Sequence, residues 1–316
     1  MRPPELFYGI DLGGTKIELV ACDAALQVVY RRRVATPHQD FDTLLAALAG
    51  LVLAADAELG MRAPLGLGIP GIVDAASGAH LSTNVPALCG RQLLPALRAQ
   101  LRRGVVMGND CQCFALSEAH GGAAAGQPSM LGLILGTGAG AGYCANGLLL
   151  AGRQGVLAEW GHWPLAPALL ARHGLPPWPC GCGASACLER YLSGRGVSAL
   201  HQHLSGQAGA SAAQLAERRA AGDAAAQAVY ALHLELLGAA IATLVLAYDP
   251  HVIVLGGGLS RLPHLYRELP AAIAPHLLSG LRPPPILPPM FGDAGGARGA
   301  ALLARQAGTH LVTEHA

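Results

Sequence analysis

Leu6-Phe7-Tyr8-Gly9-Ile10-Asp11-Leu12-Gly13-Gly14-Thr15-Lys16-Ile17-Glu18-Leu19-Val20-Ala21-Cys22 is an apolar run, an acid, a glycine turn and a second apolar run. Leu6 to Asp11 predicts a short strand, and Lys16 to Cys22 a second one returning beside it, with Val28 to Val34 as a third. Gly13 and Gly14 are read as allowing a positive φ in the turn and exposing backbone N–H groups. Such a turn can hold a phosphate oxygen, with Thr15 adding a hydroxyl and Lys16 a charge. An ordinary hairpin reads the same way, so one copy decides little. The second copy decides more. Met130 to Leu135, Gly136-Thr137-Gly138 and Gly140 to Ala145 repeat the strand, glycine turn and strand. The echo predicts a duplicated α/β fold whose two turns face each other across a cleft and clamp a polyphosphate.

Between the copies, Asp40 to Leu59 has helical spacing through Phe41, Leu44, Leu45, Leu48, Leu51 and Val52. Leu65 to Ile69 predicts a strand stopped by Pro70-Gly71, Asn84-Val85-Pro86 a loop, and Leu93 to Leu101 a helix. Val105 to Met107 predicts a strand that delivers Asn109-Asp110 at its C-terminal edge, where open α/β sheets place ligands. A helix is expected from Cys113 to Ala119. Gly121 to Gly126 is the expected domain crossing. The expected division is 1–120, with a C-terminal helix from about 293 to 316, as a small domain, and 121–292 as a larger one. Ala212 to Ala247 reads as helical. Val252 to Leu255 predicts a strand running into Gly256-Gly257-Gly258 before a helix at Leu259, a junction suited to close approach of a flat ligand or phosphate. Pro283 to Pro289 reads as a stiff connector or edge strand. Gly295 to Gln306 reads as a last helix, with a loose tail after it.

The arm at 159–189 has a different character. It contains Glu159-Trp160-Gly161-His162, a proline-rich stretch, and Cys180-Gly181-Cys182-Gly183-Ala184-Ser185-Ala186-Cys187-Leu188-Glu189. Isolated cysteines are commonly buried apolar residues. Cys-x-Cys-x4-Cys among glycines and prolines is not core composition, and with His162 it supplies the ligands of a closed structural zinc site.

Bulk properties narrow the classes. At 316 residues, two domains are the prior. The 21 basic and 20 acidic residues nearly cancel, so no basic face argues for nucleic acid. The N-terminus has no secretory pattern, and the apolar run Leu236 to Tyr248 reads as a buried helix too short to span a bilayer. Eight cysteines, with the ligand types clustered and the others scattered, suggest a reducing cytoplasm.

These motifs together resemble the ROK sugar-kinase family (repressor, open reading frame, kinase). They are Asp11-Leu12-Gly13-Gly14-Thr15-Lys16, Gly68-Ile69-Pro70-Gly71, Asn84-Val85-Pro86, Asn109-Asp110, Leu135 to Gly138, Glu159-x-Gly161-His162, Cys180 to Glu189 and Gly256 to Gly258. The resemblance implies the actin-like, hexokinase-like (ribonuclease H-like) ATPase fold, with two domains around a cleft. It also implies phosphorylation of a sugar 6-hydroxyl by ATP with Mg2+, alongside a structural Zn2+. Thr83 to Ala87, Cys113 to Ala119, Ser193 to Gly196 and Gly292 to Gly296 look most like the N-acetylglucosamine kinases of bacteria. Gly140 to Gly142, Glu159 to His162 and Gly122 to Gly126 are similar to manno(fructo)kinases.

Carried over residue by residue, the resemblance implies Asp110 as general base. Asn84, Asn109, Asp110, Glu159, His162 and Glu189 would hold the sugar. Asp11 would orient Mg2+ through water. Gly13, Gly14, Thr15 and Lys16, with Gly136, Thr137 and Gly138, would cradle phosphates. Gly256, Gly257 and Gly258 would border the adenosine. His162, Cys180, Cys182 and Cys187 would hold the zinc. A homodimer is expected, with neither nucleic acid nor membrane as partner. Repressors of the same family carry a helix-turn-helix ahead of the first glycine turn, for which residues 1–10 leave no room. The alternatives are a fructokinase, mannokinase or glucokinase of the same family and, from another class, a sugar sensor without turnover, separable by ADP release. Two departures matter: Ala186 stands where the family has glycine, and Cys111-Gln112-Cys113 follows Asp110. Ala186 fits without strain only if position 186 keeps a negative φ.

Overall fold

The computed structural model describes residues 5–74, 76–81, 85–150, 152–292 and 295–313, with side chains to residue 307. In chain order the elements begin with β1 (Phe7–Leu12), β2 (Lys16–Cys22), β3 (Val28–Ala35), α1 (Phe41–Leu59) and β4 (Leu65–Ile69). A two-strand ribbon follows, β5 (Ile72–Val73) with β6 (His80–Leu81), then α2 (Leu93–Leu101), β7 (Val105–Asn109) and α3 (Asp110–Ala119). Next come β8 (Ser129–Leu135), β9 (Ala139–Ala145), β10 (Leu148–Leu150), α4 (Pro167–His173), α5 (Glu189–Leu192), α6 (Gly194–Ser205) and α7 (Ala212–Ala220). The last are α8 (Ala224–Tyr248), β11 (Val252–Gly256), α9 (Pro263–Ile273), β12 (Ile286–Leu287) and α10 (Gly295–Thr313). Two compact units result. One is Met1–His120 with Leu148–Leu157 and Asp293–Ala316; the other is Gly121–Gly147 with Ala158–Gly292.

In the first unit the sheet order is β3-β2-β1-β4-β7. β1, β2 and β3 form an antiparallel meander, while β4 and β7 run parallel to β1. Parallel pairing puts the C-terminal ends of three strands on one edge: Asp11 lies opposite Gly68, and Ile69 opposite Asn109. Leu44, Leu48, Leu51 and Val52, the expected stripe of α1, are buried with Ile10, Leu12 and Leu67. The helix starts where Asp40 accepts a hydrogen bond from Thr43 N, and stops at Gly60 with φ +66°.

α10 belongs to this unit although it lies far along the chain. It packs backbone to backbone: a Cβ on Gly9 of β1 would overlap Ala297 O, and one on Gly66 of β4 would overlap Ala300 O. Gly299 makes the matching approach to Cys113 of α3. Buried Arg298 secures the junction by donating to Leu26 O, Ser117 O and His120 O at 3.2, 2.8 and 2.6 Å.

The second unit has strand order β9-β8-β11-β12, with β8 antiparallel to β9 and parallel to β11. β12 is the expected edge strand in the proline-rich stretch, paired with β11. Its core gathers Leu131, Leu133, Trp160, Tyr191 and Tyr230 with much of α8.

Four elements differ from expectation. α3 starts at Asp110 rather than Cys113, because Asn109 caps it. The long helix from 212 breaks at Gly222, whose φ is +88°, and Asp223 caps α8 afresh by accepting from Ala226 N. Restarted there, α8 has 25 residues, long and apolar enough to cross a membrane, and 67% of its most apolar window is buried in the unit. A 3-10 turn, Gly258–Arg261, stands between the glycine run and α9. α10 continues past Gln306 to Thr313, so that stretch is helical rather than loose.

Candidate active site

The first glycine turn is held by Gly13 N donating to Lys16 O at 3.0 Å, by Thr36 N donating to Thr15 O at 3.0 Å, and by the Thr36 hydroxyl donating to Gly13 O at 2.7 Å. Neither Gly13 nor Gly14 takes a positive φ; at Gly13 the constraint is space, since a Cβ there would meet Lys16 O at 3.1 Å. Among the described residues the amides of Gly14 and Thr15 donate to no acceptor. Asp11 sits beside this turn at the end of β1, against Gly296 in the first turn of α10, where a helix N-terminus favours a carboxylate.

Asn109 and Asp110 stand at the same strand-end edge. Asn109 is the N-cap of α3: its Oδ1 accepts from Cys111 N at 2.8 Å, and its Nδ2 donates to Gly71 O at 3.0 Å. Gln112, the departure noted above, completes the capping box through a 3.3 Å bond from Asn109 N to its Oε1. Its Nε2 donates to Gly155 O at 2.9 Å, so Gln112 fixes the strand-to-helix corner. Asp110 accepts from Cys111 N at 2.9 Å. Burial pushes its carboxyl above the usual carboxylate range, opposed by the hydrogen bonds at the helix start. Asn84 lies outside the described residues.

In the second unit, Gly136 N donates to Gly138 O at 2.9 Å and Gly194 N donates to Gly136 O at 2.8 Å. Here too two successive amides, Thr137 and Gly138, donate to no acceptor among the described residues. Gly256 lies opposite Ile134 on the neighbouring parallel strand, and a Cβ on Gly257 would meet Leu135 O at 2.6 Å. The structure thus brings the second turn and the Gly256–Gly258 run together. Leu262 and Pro263, just beyond that run, line a cavity of about 600 Å3 with Arg219, Gln227, His264 and Arg267.

The arm is irregular chain tied by isolated bridges, Pro164 with Cys187 and Pro179 with Ser185. Its four ligand atoms, from His162, Cys180, Cys182 and Cys187, lie within 4.8 Å of one another. His162 Nδ1 is 3.7 Å from Cys180 Sγ, and Cys182 Sγ is 3.6 Å from Cys187 Sγ. With Zn–S near 2.3 Å, a tetrahedron has S···S edges of about 3.8 Å, so these residues fit zinc. Ligation through Nδ1 leaves Nε2 of His162 for another partner. Burial pushes the Cys187 thiol up to about 12, while the Ala184 N–H pulls Cys182 down.

Ala186 does take a positive φ, +60°. Its N–H donates to Trp178 O and its carbonyl accepts from Leu165 N, so the surrounding bonds impose the conformation. The expected condition for an unstrained Ala186 is not met, and the cost is about 1–2 kcal/mol. Ala158, at +65°, is a second strained alanine, just before Glu159, which sequence reading missed. Glu159 precedes the 3-10 turn that carries His162. Glu189 begins α5, and its Oε2 accepts from Ala139 N at 2.9 Å. That bond to the second turn is a role the motif alone did not reveal.

The ROK family pattern matches residues 7–307. The chain is 43% identical over 300 residues to an N-acetyl-D-glucosamine kinase of Photobacterium profundum, covering 94% of this chain and 99% of that one. It is 42% identical over 298 residues to the N-acetylgalactosamine kinase AgaK of Shewanella sp. (strain ANA-3), covering 94% and 96%. Among solved structures it is similar to the ROK hexokinase of Thermus thermophilus (TM-score 0.85, 33% identity, 96% and 99% coverage). It is also similar to a ROK glucokinase of Streptomyces griseus in complex with glucose and AMPPNP (TM-score 0.74, 28% identity, 95% and 99% coverage). Strand order, glycine turns, Cys3His knot and these similarities agree: the chain belongs to the ROK family.

Proposed function

We propose that the protein is an ATP-dependent sugar kinase that phosphorylates the 6-hydroxyl of N-acetylglucosamine, giving N-acetylglucosamine 6-phosphate and ADP. The observation that carries the reaction is the pair of glycine turns, each offering two acceptor-free amides, together with Asp110 at the head of α3. The relatives carry the choice of sugar.

Phosphoryl transfer asks the protein mainly for positioning and charge stabilisation. Asp110 takes the proton of the 6-hydroxyl as that oxygen attacks the γ-phosphorus and the bond to the ADP leaving oxygen breaks. A base raised by burial accepts that proton more readily than an ordinary aspartate, and stays ionised while the pH remains above its raised pKa. Asn109 is fixed by its cap and presents Asp110. Asn84, Asn109, Glu159, His162 and Glu189 bind sugar hydroxyls. Gly13 to Lys16 and Gly136 to Gly138 hold the phosphates, and Gly256 to Gly258 border the adenosine. Asp11 holds Mg2+ through water, which neutralises phosphate charge. His162, Cys180, Cys182 and Cys187 hold a structural Zn2+. A homodimer in the cytoplasm completes the reading.

A second reading, N-acetylgalactosamine, is favoured by the 42% identity to AgaK. The two sugars differ at C4, so the contacts made by the sugar residues decide between them. A coupled ADP-release assay over N-acetylglucosamine, N-acetylgalactosamine, N-acetylmannosamine, glucose, mannose and fructose tests both. The highest kcat/KM is expected with N-acetylglucosamine. A higher value with N-acetylgalactosamine selects the second reading, and sugar binding without ADP release ends the kinase reading.

A further inference from the structure

We propose that Glu189 is a positioning residue for the second phosphate turn, through which the Cys3His knot governs nucleotide binding even when no sugar is present. The proposal rests on the reading of Gly136–Gly138 as a phosphate cradle.

A carboxylate next to a phosphate site repels the ligand unless its charge is committed elsewhere. Glu189 Oε2 is committed: it accepts from Ala139 N, the residue directly after the turn, at 2.9 Å. A bond from a backbone N–H to an ionised acceptor is among the stronger kinds. The carboxylate also closes over the turn itself, for a Cβ on Gly138 would come within 2.5 Å of Glu189 Oε2. Glycine at 138 is therefore the condition for Glu189 to reach Ala139.

Glu189 is in turn rigidly mounted. Leu188 N donates to Trp163 O at 2.8 Å, and Ser193 N donates to Glu189 O at 3.3 Å. Buried His233 donates from Nε2 to Leu192 O at 3.0 Å, anchoring the far end of α5. The mounting comes from the knot on both sides. Glu189 follows the ligand Cys187 by two residues, while Gly161, adjacent to the ligand His162, packs against Ala139 O too closely to admit a Cβ. Both segments that carry the ligand residues reach Ala139, Glu189 by a hydrogen bond from its amide and Gly161 by close packing on its carbonyl. A Glu189 serving the sugar alone would not need the bond to Ala139 N.

The test uses the full chain and the nucleotide analogue AMPPNP with Mg2+, titrated by calorimetry with no sugar present. Glu189→Ala should weaken AMPPNP about ten-fold, and amide exchange at Ala139 should speed up. Glu189→Gln, which keeps an oxygen for Ala139 N–H, should restore most of both while sugar KM stays raised. Melting temperature and zinc content identify any variant that has not folded; in that case Glu189→Gln against wild type carries the comparison, and a Glu189→Gln protein that loses Ala139 protection overturns the proposal. Unchanged AMPPNP affinity in folded Glu189→Ala also overturns it, leaving Glu189 a sugar ligand only. If wild-type protein binds no AMPPNP, the phosphate reading of the turn fails, and with it the proposal.

Discussion

The two glycine turns have the same outline and different supports. Each follows a parallel strand, carries an exposed threonine, Thr15 or Thr137, and leaves two successive amides without acceptors among the described residues. The first is closed by its own neighbourhood: Lys16 across the turn and Thr36 at the end of β3. The second has its own local bond, Gly136 N to Gly138 O, and is held in addition from far along the sequence, by Glu189, Gly194 and Gly257. A duplicated motif can thus keep its ligand-facing geometry while its scaffold diverges. Among the described residues, the second turn is tied through Glu189 and Gly161 to the segments that carry the Cys3His cluster.

The sharpest break of the symmetry concerns chemistry: Asp110 is proposed as the base, whereas Glu189, the carboxylate beside the second turn, is committed to Ala139 N. Asp110→Asn should lower kcat by about 10²–10⁴-fold while sugar Kd by calorimetry stays within a few-fold. Retained turnover would remove Asp110 as base.

The turns themselves come next. An added Cβ on Gly138 meets Glu189 Oε2 at 2.5 Å, whereas one on Gly13 meets Lys16 O at 3.1 Å. Gly138→Ala should raise the KM for ATP roughly ten-fold or more and Gly13→Ala by a few-fold, on the scale of one charge-assisted bond against one tight contact. Equal effects would erase the contrast.

Cys182→Ser should release zinc, measured by metal analysis, and raise the KM for ATP several-fold. Wild-type protein purified without zinc would end the Cys3His assignment.

A pH profile distinguishes the two halves differently. As the proposed base, Asp110 would act as its anion, and burial raises its pKa, so kcat/KM should fall with decreasing pH through a value above the ordinary carboxylate range. An acid limb at or below that range would contradict the buried base.

The smallest effect is at Ala186. Ala186→Gly removes αL strain of about 1 kcal/mol net of glycine's chain entropy, raising Tm by about 2–4 °C. A lower Tm would show that the methyl group, 8% exposed as part of its residue, packs usefully.

What was legible in the sequence follows from locality. Strand, turn and strand are written in consecutive residues, so β1–β2 and β8–β9 could be read directly, as could α1 and α2 from their spacing. Cysteine spacing announces the Cys3His cluster because ligand types are few. Contacts made across long separations were not legible. Nothing near Glu189 in sequence points to Ala139, and nothing near Gln112 points to Gly155, which it reaches at 2.9 Å. The split of α7 from α8 was written at Gly222-Asp223, but the surrounding alanine-rich composition masked it. Ala186 could be flagged as a departure, whereas its φ depended on the bonds of Trp178 and Leu165.

The placement of α10 governs the order in which the newborn chain can mature. β1 and β4 expose a strip at Gly9 and Gly66 that only the backbone of α10 fits. Between the end of α3 and the start of α10 lie 175 residues, which a ribosome adding about 5–20 residues per second takes roughly 9–35 s to supply. Throughout that interval the first sheet lacks its lid, while the unit from Gly121 to Gly292 can already close around α8. The half that begins synthesis first is therefore the half that finishes folding last, and it is the half a chaperone has most reason to hold.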